Sequence, residues 1–202
     1  MSAATIQLME HADHVRLIQD GVADVGHRWL ELGAGAGAFT LALADLLGDT
    51  GEIVAVDRDA GDLGRLTESM SRRFPDVSVR TVTADFDRWM DLGPGQFDGV
   101  LAANSLHFVR DPASVIGRLH DSLRPGTRIL IVEYDSDSGN PWVPFPFSFG
   151  TWQHAADQLG LVGTRLLERV PSRFLGAIYS AASDVPPEKP PDLPQATSTE
   201  SS

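Results

Sequence analysis

From Arg28 to Val132 the chain alternates short apolar runs with longer stretches in which apolar residues return every three or four positions. The runs are Arg28 to Leu32, Ile53 to Val56, a segment carrying Val77, Val79 and Val82, Phe97 to Ala102, and Ile129 to Val132. Between them, Phe39, Leu43, Leu46 and Leu47 mark one face of a helix over 37–47. A more polar helix spans Ala60 to Arg73, and Pro75 stops it. A Gly93 to Gly95 turn precedes the fourth run. Asp111 caps a further helix with Pro112 at its first position, striped by Val115, Ile116, Leu119 and Leu123 and ended by Pro125-Gly126. Unbroken apolar strands alternating with helices predict an α/β protein whose parallel sheet is covered on both faces. Right-handed crossovers then put every strand-to-helix loop on one edge, where a ligand belongs.

The rhythm changes toward the end. Phe149, Trp152, Ala156 and Leu159 predict a helix closed by Gly160. Thr164 to Val170 and Phe174 to Ala181 read as two strands joined by a Pro171-Ser172 turn, and so short a connection makes them antiparallel. Residues 1–26 form a separate N-terminal segment, partly helical through Val15, Leu17, Ile18 and Val22, that is expected to cover the site. Residues 27–183 form one domain. Residues 184–202 carry five prolines and little apolar material, which predicts a disordered tail.

Composition narrows the partner. The 202 residues carry a formal net charge of -12, which repels nucleic-acid backbones and favours a small molecule. There is no cysteine, so neither disulfides nor thiolate metal sites are available. His11, Asp13, His14, Arg16 and Asp20 break up the N-terminal segment, which does not read as a signal peptide. No run of about 18 apolar residues exists to span a membrane. The expected setting is cytoplasmic, as a monomer or homodimer.

Candidate chemistry concentrates after the first strand, in Glu31-Leu32-Gly33-Ala34-Gly35-Ala36-Gly37. A strand, a three-glycine turn and a helix let backbone lie against a ligand without Cβ interference. Gly33, Gly35 and Ala38 also fit the dinucleotide pattern, with Asp57 placed where a ribose-binding acid would sit. A nicotinamide oxidoreductase therefore stays open on the glycines alone. Glu31 before the turn, the added Gly37 and the terminal hairpin pull away from it.

Taken together, five stretches resemble the motifs of class I (Rossmann-like) S-adenosylmethionine-dependent methyltransferases. They are Glu31 to Gly37; Val54-Ala55-Val56-Asp57; Ala84-Asp85-Phe86; Phe97-Asp98-Gly99-Val100 through Asn104-Ser105-Leu106-His107; and Leu123-Arg124-Pro125-Gly126-Thr127 with Ile129 to Val132. The resemblance runs from about Arg28 to Ala182. It implies a three-layer αβα sandwich with a seven-stranded sheet in the order 3-2-1-4-5-7-6, strand seven antiparallel. It also implies S-adenosyl-L-methionine as cofactor. Asp57 would then hold the ribose hydroxyls, and the backbone of Gly33, Ala34, Gly35 and Gly37 would follow the methionine part, with Glu31 near its ammonium. Asp85 and Phe86 would meet the adenine, Arg58 would flank it, and Asn104 would lie near the methionine end.

The reaction would be an in-line displacement, helped chiefly by alignment and exclusion of water. His107 is the candidate base, because its ordinary pKa lies near neutrality, and Glu133 is a second candidate catalytic group. His107, Tyr134, Trp142 and Phe145 are the candidate acceptor contacts. Trp142, Phe145, Phe147, Phe149 and Trp152, interspersed with prolines, suggest an apolar pocket wall. Asp135-x-Asp137-x-Gly139 has the look of a calcium loop, but Pro146 stands where the bidentate glutamate belongs, so no metal is expected. The acceptor expected is a small, partly apolar molecule methylated on oxygen, nitrogen or carbon. A protein that binds S-adenosylmethionine without transferring from it is the alternative.

Overall fold

The computed structural model describes residues 9–88, 92, 96–119, 123–172 and 174–187. The Gly93 to Gly95 turn and residues 188–202 of the expected tail lie outside the described residues. Seven strands form one sheet in the order β3-β2-β1-β4-β5-β7-β6. They are β1 (Arg28–Leu32), β2 (Glu52–Asp57), β3 (Ser78–Thr83), β4 (Phe97–Ala103), β5 (Leu123–Tyr134), β6 (Val162–Ser172) and β7 (Gly176–Asp184). Strands β1 to β5 pair in parallel, and β7 runs antiparallel to both β5 and β6. The helices are α1 (His11–Val22), α2 (Ala38–Leu47), α3 (Ala60–Arg73), α4 (Pro112–Arg118) and α5 (Phe149–Gln158). The expected αβα sandwich and strand order are what the molecule adopts.

Each face of the sheet carries its own core. Trp29, Ile53 and Leu101 pack with Phe39, Leu43, Leu66 and Met70 of α2 and α3 on one side. Leu30, Val56, Val100 and Ile131 pack with Val115, Ile116 and Trp152 of α4 and α5 on the other. The two-residue alternation along β1 decides which face each side chain joins, so Glu31 falls on the α2 side with Trp29.

Three expectations change. The stripe after Asp111 does not make one helix as far as Pro125, because α4 ends at Arg118 and Leu123 already pairs with Phe97 as the start of β5. The β4–β5 register shifts there, and Thr127 Oγ1 bridges the gap by donating to Phe97 O (2.8 Å) and accepting from Arg124 N (3.0 Å). The final turn is not Pro171-Ser172. Pro171 lies within β6 opposite Ala177, tolerated because β6 is the edge strand, and Gly176, at φ 79°, takes the left-handed turn position. Phe174 is thereby moved from the strand into the turn. Nor does the ordered chain stop at residue 183: β7 runs to Asp184, which pairs with Arg128, and Val185 N donates to Thr127 O at 2.9 Å.

Within the N-terminal segment, α1 buries Leu17, Ile18 and Val22. It packs against α2 and the β5, β6 and β7 part of the sheet.

Candidate active site

The C-terminal ends of β1, β2 and β4 open onto a cleft of about 440 Å³, within the range of small-molecule sites. The glycine turn forms one wall. Gly33, Gly35 and Gly37 have φ values of 76°, 51° and 95°, a left-handed region that L side chains resist. Gly33 N and Ala34 N both donate to Val56 O, at 2.8 and 3.0 Å, which pins the turn to β2. A Cβ on Gly33 would collide with the Ser105 side chain, whereas one on Gly35 would point into open space.

Asp57 joins the turn to the β2–α3 loop. Its Oδ2 accepts from Gly35 N (2.8 Å) and its Oδ1 from Asp59 N (2.9 Å), so both oxygens are oriented at the cleft wall. Asp59 in turn caps α3 through Gly61 N and Asp62 N, and those bonds hold its carboxyl below the usual range. Glu31 lies beneath the turn, fully buried, with Thr40 Oγ1 donating to its Oε2 at 2.6 Å. Burial pushes its pKa up to about 8, against the Thr40 bond and with a further push from Asp57.

Of the expected cofactor residues, Gly33, Gly35, Asp57, Arg58, Asp85, Phe86 and Asn104 line the cleft. Glu31, Ala34 and Gly37 support it without lining it; Gly37 is the N-cap of α2. Asp85 Oδ1 accepts from Asp87 N at 3.1 Å and Oδ2 faces Arg88 Nε at 3.6 Å. Asn104 adopts φ 50°, donates its N–H to Val132 O (2.8 Å), and keeps Oδ1 buried with no protein partner. An acceptor of this kind in a cleft that Asp57 also lines suits a ligand rich in N–H and O–H donors. The polar lining therefore fits an adenosyl amino acid, which carries hydroxyl and amino donors of that kind.

Sequence reasoning missed Asp59, Asp62, Asp87, Phe108 and Val109, which also line the cleft, and gave Ala84 and Ser105 no role beyond their motifs. The capping pattern Asp59-x-x-Asp62 was a usable signal for the first two. Ser105 is placed by its bond to Leu32 O (2.7 Å), a tertiary contact across β1 and β4. No residue of α1 lines the cleft, so the expected cover over it is not seen in the described residues.

His107 and Glu133 form a buried pair. His107 Nδ1 lies 2.9 Å from Glu133 Oε2, and His107 N donates to Oε1 at 3.2 Å. Their side chains are 4% and 0% exposed, and neither lines the cleft, although the adjoining Phe108 does. With Nδ1 bound to a carboxylate, Nε2 is left as the basic nitrogen. Tyr134 sits with its ring 5.5 Å from His107, and burial, aided by Glu133, raises its pKa.

The aromatic stretch is not one wall. Phe147 and Trp152 are buried 6.2 Å apart in the α5-side core, and Trp142 is 73% exposed. Phe145 alone approaches the pair, its N–H donating to His107 O at 2.9 Å while the Arg110 guanidinium covers its ring at 4.7 Å. Asp137 is occupied with Ser148 N, Ser148 Oγ and Thr151 Oγ1 at the start of α5. Among the described residues no group of three or more His, Cys, Asp or Glu is disposed to hold a metal ion. No helix among them is long and apolar enough to cross a membrane.

Residues 30–126 match the family described as methyltransferase domain. The 2-phytyl-1,4-naphtoquinone methyltransferase of Nostoc punctiforme is 29% identical over 119 residues, 59% of this chain and 51% of that protein. The ubiquinone/menaquinone biosynthesis C-methyltransferase UbiE of Pseudomonas aeruginosa is 30% identical over 115 residues, 57% of this chain and 44% of that protein. The chain thus spans about half the length of the curated relatives it matches. A SAM dependent methyltransferase from Aquifex aeolicus shares the fold, with TM-score 0.66, 17% identity, and 86% and 89% of the two chains covered. Motif order, strand order and family match agree: residues 30–126 are similar to methyltransferase domains, and the sheet has the strand order that the resemblance to class I methyltransferases implies.

Proposed function

We propose that this chain transfers a methyl group from S-adenosylmethionine to a small, partly apolar acceptor, with His107 as general base. The observation that carries the reading is Asp57, whose two oxygens are aimed by Gly35 N and Asp59 N at the wall of the cleft. A carboxylate held from behind in this way presents its remaining lone pairs to a ribose diol. Asn104 Oδ1 offers an acceptor for the ammonium end, and Glu31, behind the turn, would offer a second once it gives up its proton. When bound, the cofactor would supply an electrophilic methyl group on a sulfonium, whose sulfur would take back the bond's electrons as leaving group.

His107 Nε2 would remove the proton of the acceptor's acidic O–H or C–H, leaving the electron pair that attacks. Glu133 would keep Nδ1–H bonded and stabilise the imidazolium that forms, a contribution of about 10²–10⁴ in rate for a positioned base. The relatives' names, a naphtoquinone methyltransferase and a C-methyltransferase, favour an enol- or phenol-like acceptor methylated on carbon. The charge of -12 supports a partner other than nucleic acid.

Calorimetric titration separates the alternatives. S-adenosylhomocysteine should bind and NAD should not; tight NAD binding would return the glycine turn to a dinucleotide role. A cofactor complex with no transfer to any phenolic or enolic acceptor would favour a binding protein without transferase activity.

A further inference from the structure

The turn between β6 and β7 carries a phenylalanine where turns ordinarily take glycine, proline, serine or an acidic or amide residue. Phe174 is 64% exposed there, an outlay of apolar surface that the fold itself does not use. The pairing of Tyr134 with Ile178, and the bond from Asp135 N to Ala177 O (3.0 Å), set this turn beside the end of β5, on the ligand edge. A row of rings runs inward from it. Phe174 meets Tyr134 at 6.3 Å, Tyr134 meets His107 at 5.5 Å, and His107 meets Phe108 at 4.2 Å. Phe108 is itself 55% exposed and lines the cofactor cleft.

We propose that Phe174 determines acceptor specificity, completing with Tyr134 and Phe108 a site for a planar, conjugated ring held beside His107. The inference rests on the methyl-transfer reading of the same edge. Phe174 and Tyr134 already stand edge to face, 80° apart, so a flat ring can stack on one and meet the other by its edge, an arrangement that a saturated ring of equal size cannot match. Tyr134 is neutral near physiological pH like any tyrosine, and burial raises its pKa further, so its ring adds no negative charge beside an acceptor that loses a proton. Phe174 acts by binding, not by chemistry.

The test uses the full chain saturated with S-adenosylhomocysteine, with 1-naphthol as probe and decahydro-1-naphthol as its saturated counterpart, followed by ligand-observed NMR. The wild type should bind 1-naphthol about fivefold or more tightly than the saturated alcohol, and Phe174→Ala should weaken 1-naphthol about tenfold, from lost ring contact and apolar area. Phe174→Leu, which keeps bulk without a π face, should fall between. S-adenosylhomocysteine affinity should be the same in all three proteins. Equal 1-naphthol affinity in wild type and Phe174→Ala, or equal affinity for the two alcohols, overturns the assignment. Titrations repeated without S-adenosylhomocysteine score Phe174 separately, so that failure of that nucleoside to bind would count against the methyl-transfer reading alone.

Discussion

Replacing Glu31 by glutamine should stabilise the protein at alkaline pH while weakening its grip on the cofactor. Glu31 titrates near 8 in the fold against an ordinary 4.5, chiefly because it is buried. Between those values the native state holds one proton more than the unfolded chain, so stability falls as the pH rises. The slope is about 1.4 kcal/mol per pH unit, and the loss is complete above the folded pKa, on the order of 5 kcal/mol in total. A glutamine amide cannot ionise, and its Oε1 can still accept from Thr40 Oγ1. At pH 5 the Glu31→Gln variant should match the wild type within about 1 kcal/mol, whereas at pH 8.5 a gain of about 4 kcal/mol would raise Tm by roughly 8–16 °C. Calorimetric unfolding at pH 5, 7 and 8.5 reads this directly. Parallel stability–pH profiles for the two proteins would refute the reasoning. Binding should move the other way. If the carboxylate takes the cofactor's ammonium, the wild type releases a proton on binding below pH 8. The Glu31→Gln variant should bind S-adenosylhomocysteine about 10- to 100-fold more weakly, the loss of one charge-assisted bond. Titrations in two buffers of different ionisation enthalpy measure the proton release; none in the wild type would leave Glu31 a structural acid.

Asp57→Ala should reduce S-adenosylhomocysteine affinity by about 100-fold or more, and freeing Gly35 N and Asp59 N should cost about 1–2 kcal/mol of stability. Unchanged affinity by calorimetry would mean the ribose lies elsewhere. His107→Ala should lower turnover by about 10²–10⁴ with cofactor affinity unaltered, and Glu133→Gln, which preserves the bond to Nδ1, should lower it less. Equal turnover in single-turnover assays would reduce the pair to packing. Gly33→Ala should destabilise by about 1–3 kcal/mol, because the residue sits at φ 76° and its Cβ would strike Ser105; a thermal melt at wild-type Tm would contradict the turn geometry.

Much of this molecule was legible in the chain because the signals are local. Arg28 to Leu32 and Ala60 to Arg73 begin and end where their apolar spacing and flanking residues say they should. The glycines stand at the φ values their type suggests, and Asp57 ends β2 at the cleft. Periodicity records which face a residue buries, and that depends only on neighbours a few positions away.

What the sequence left open depends on partners far along the chain. Whether Leu123 continues a helix or starts a strand is decided by Phe97, and the last turn by the pairing of Pro171 with Ala177 on an edge that needs no N–H from proline. The five aromatics after Asn140 look alike in the chain, yet burial sends Trp152 into the core and leaves Trp142 in solvent. Glu31 becomes a high-pKa acid only because α2 closes over it with Thr40, and His107 gains Glu133 from 26 residues away. Local spacing determined the frame and the cofactor edge. Only tertiary burial and strand register decided the raised pKa of Glu31, the histidine–glutamate pair, and the exposed ring at position 174 beside Tyr134.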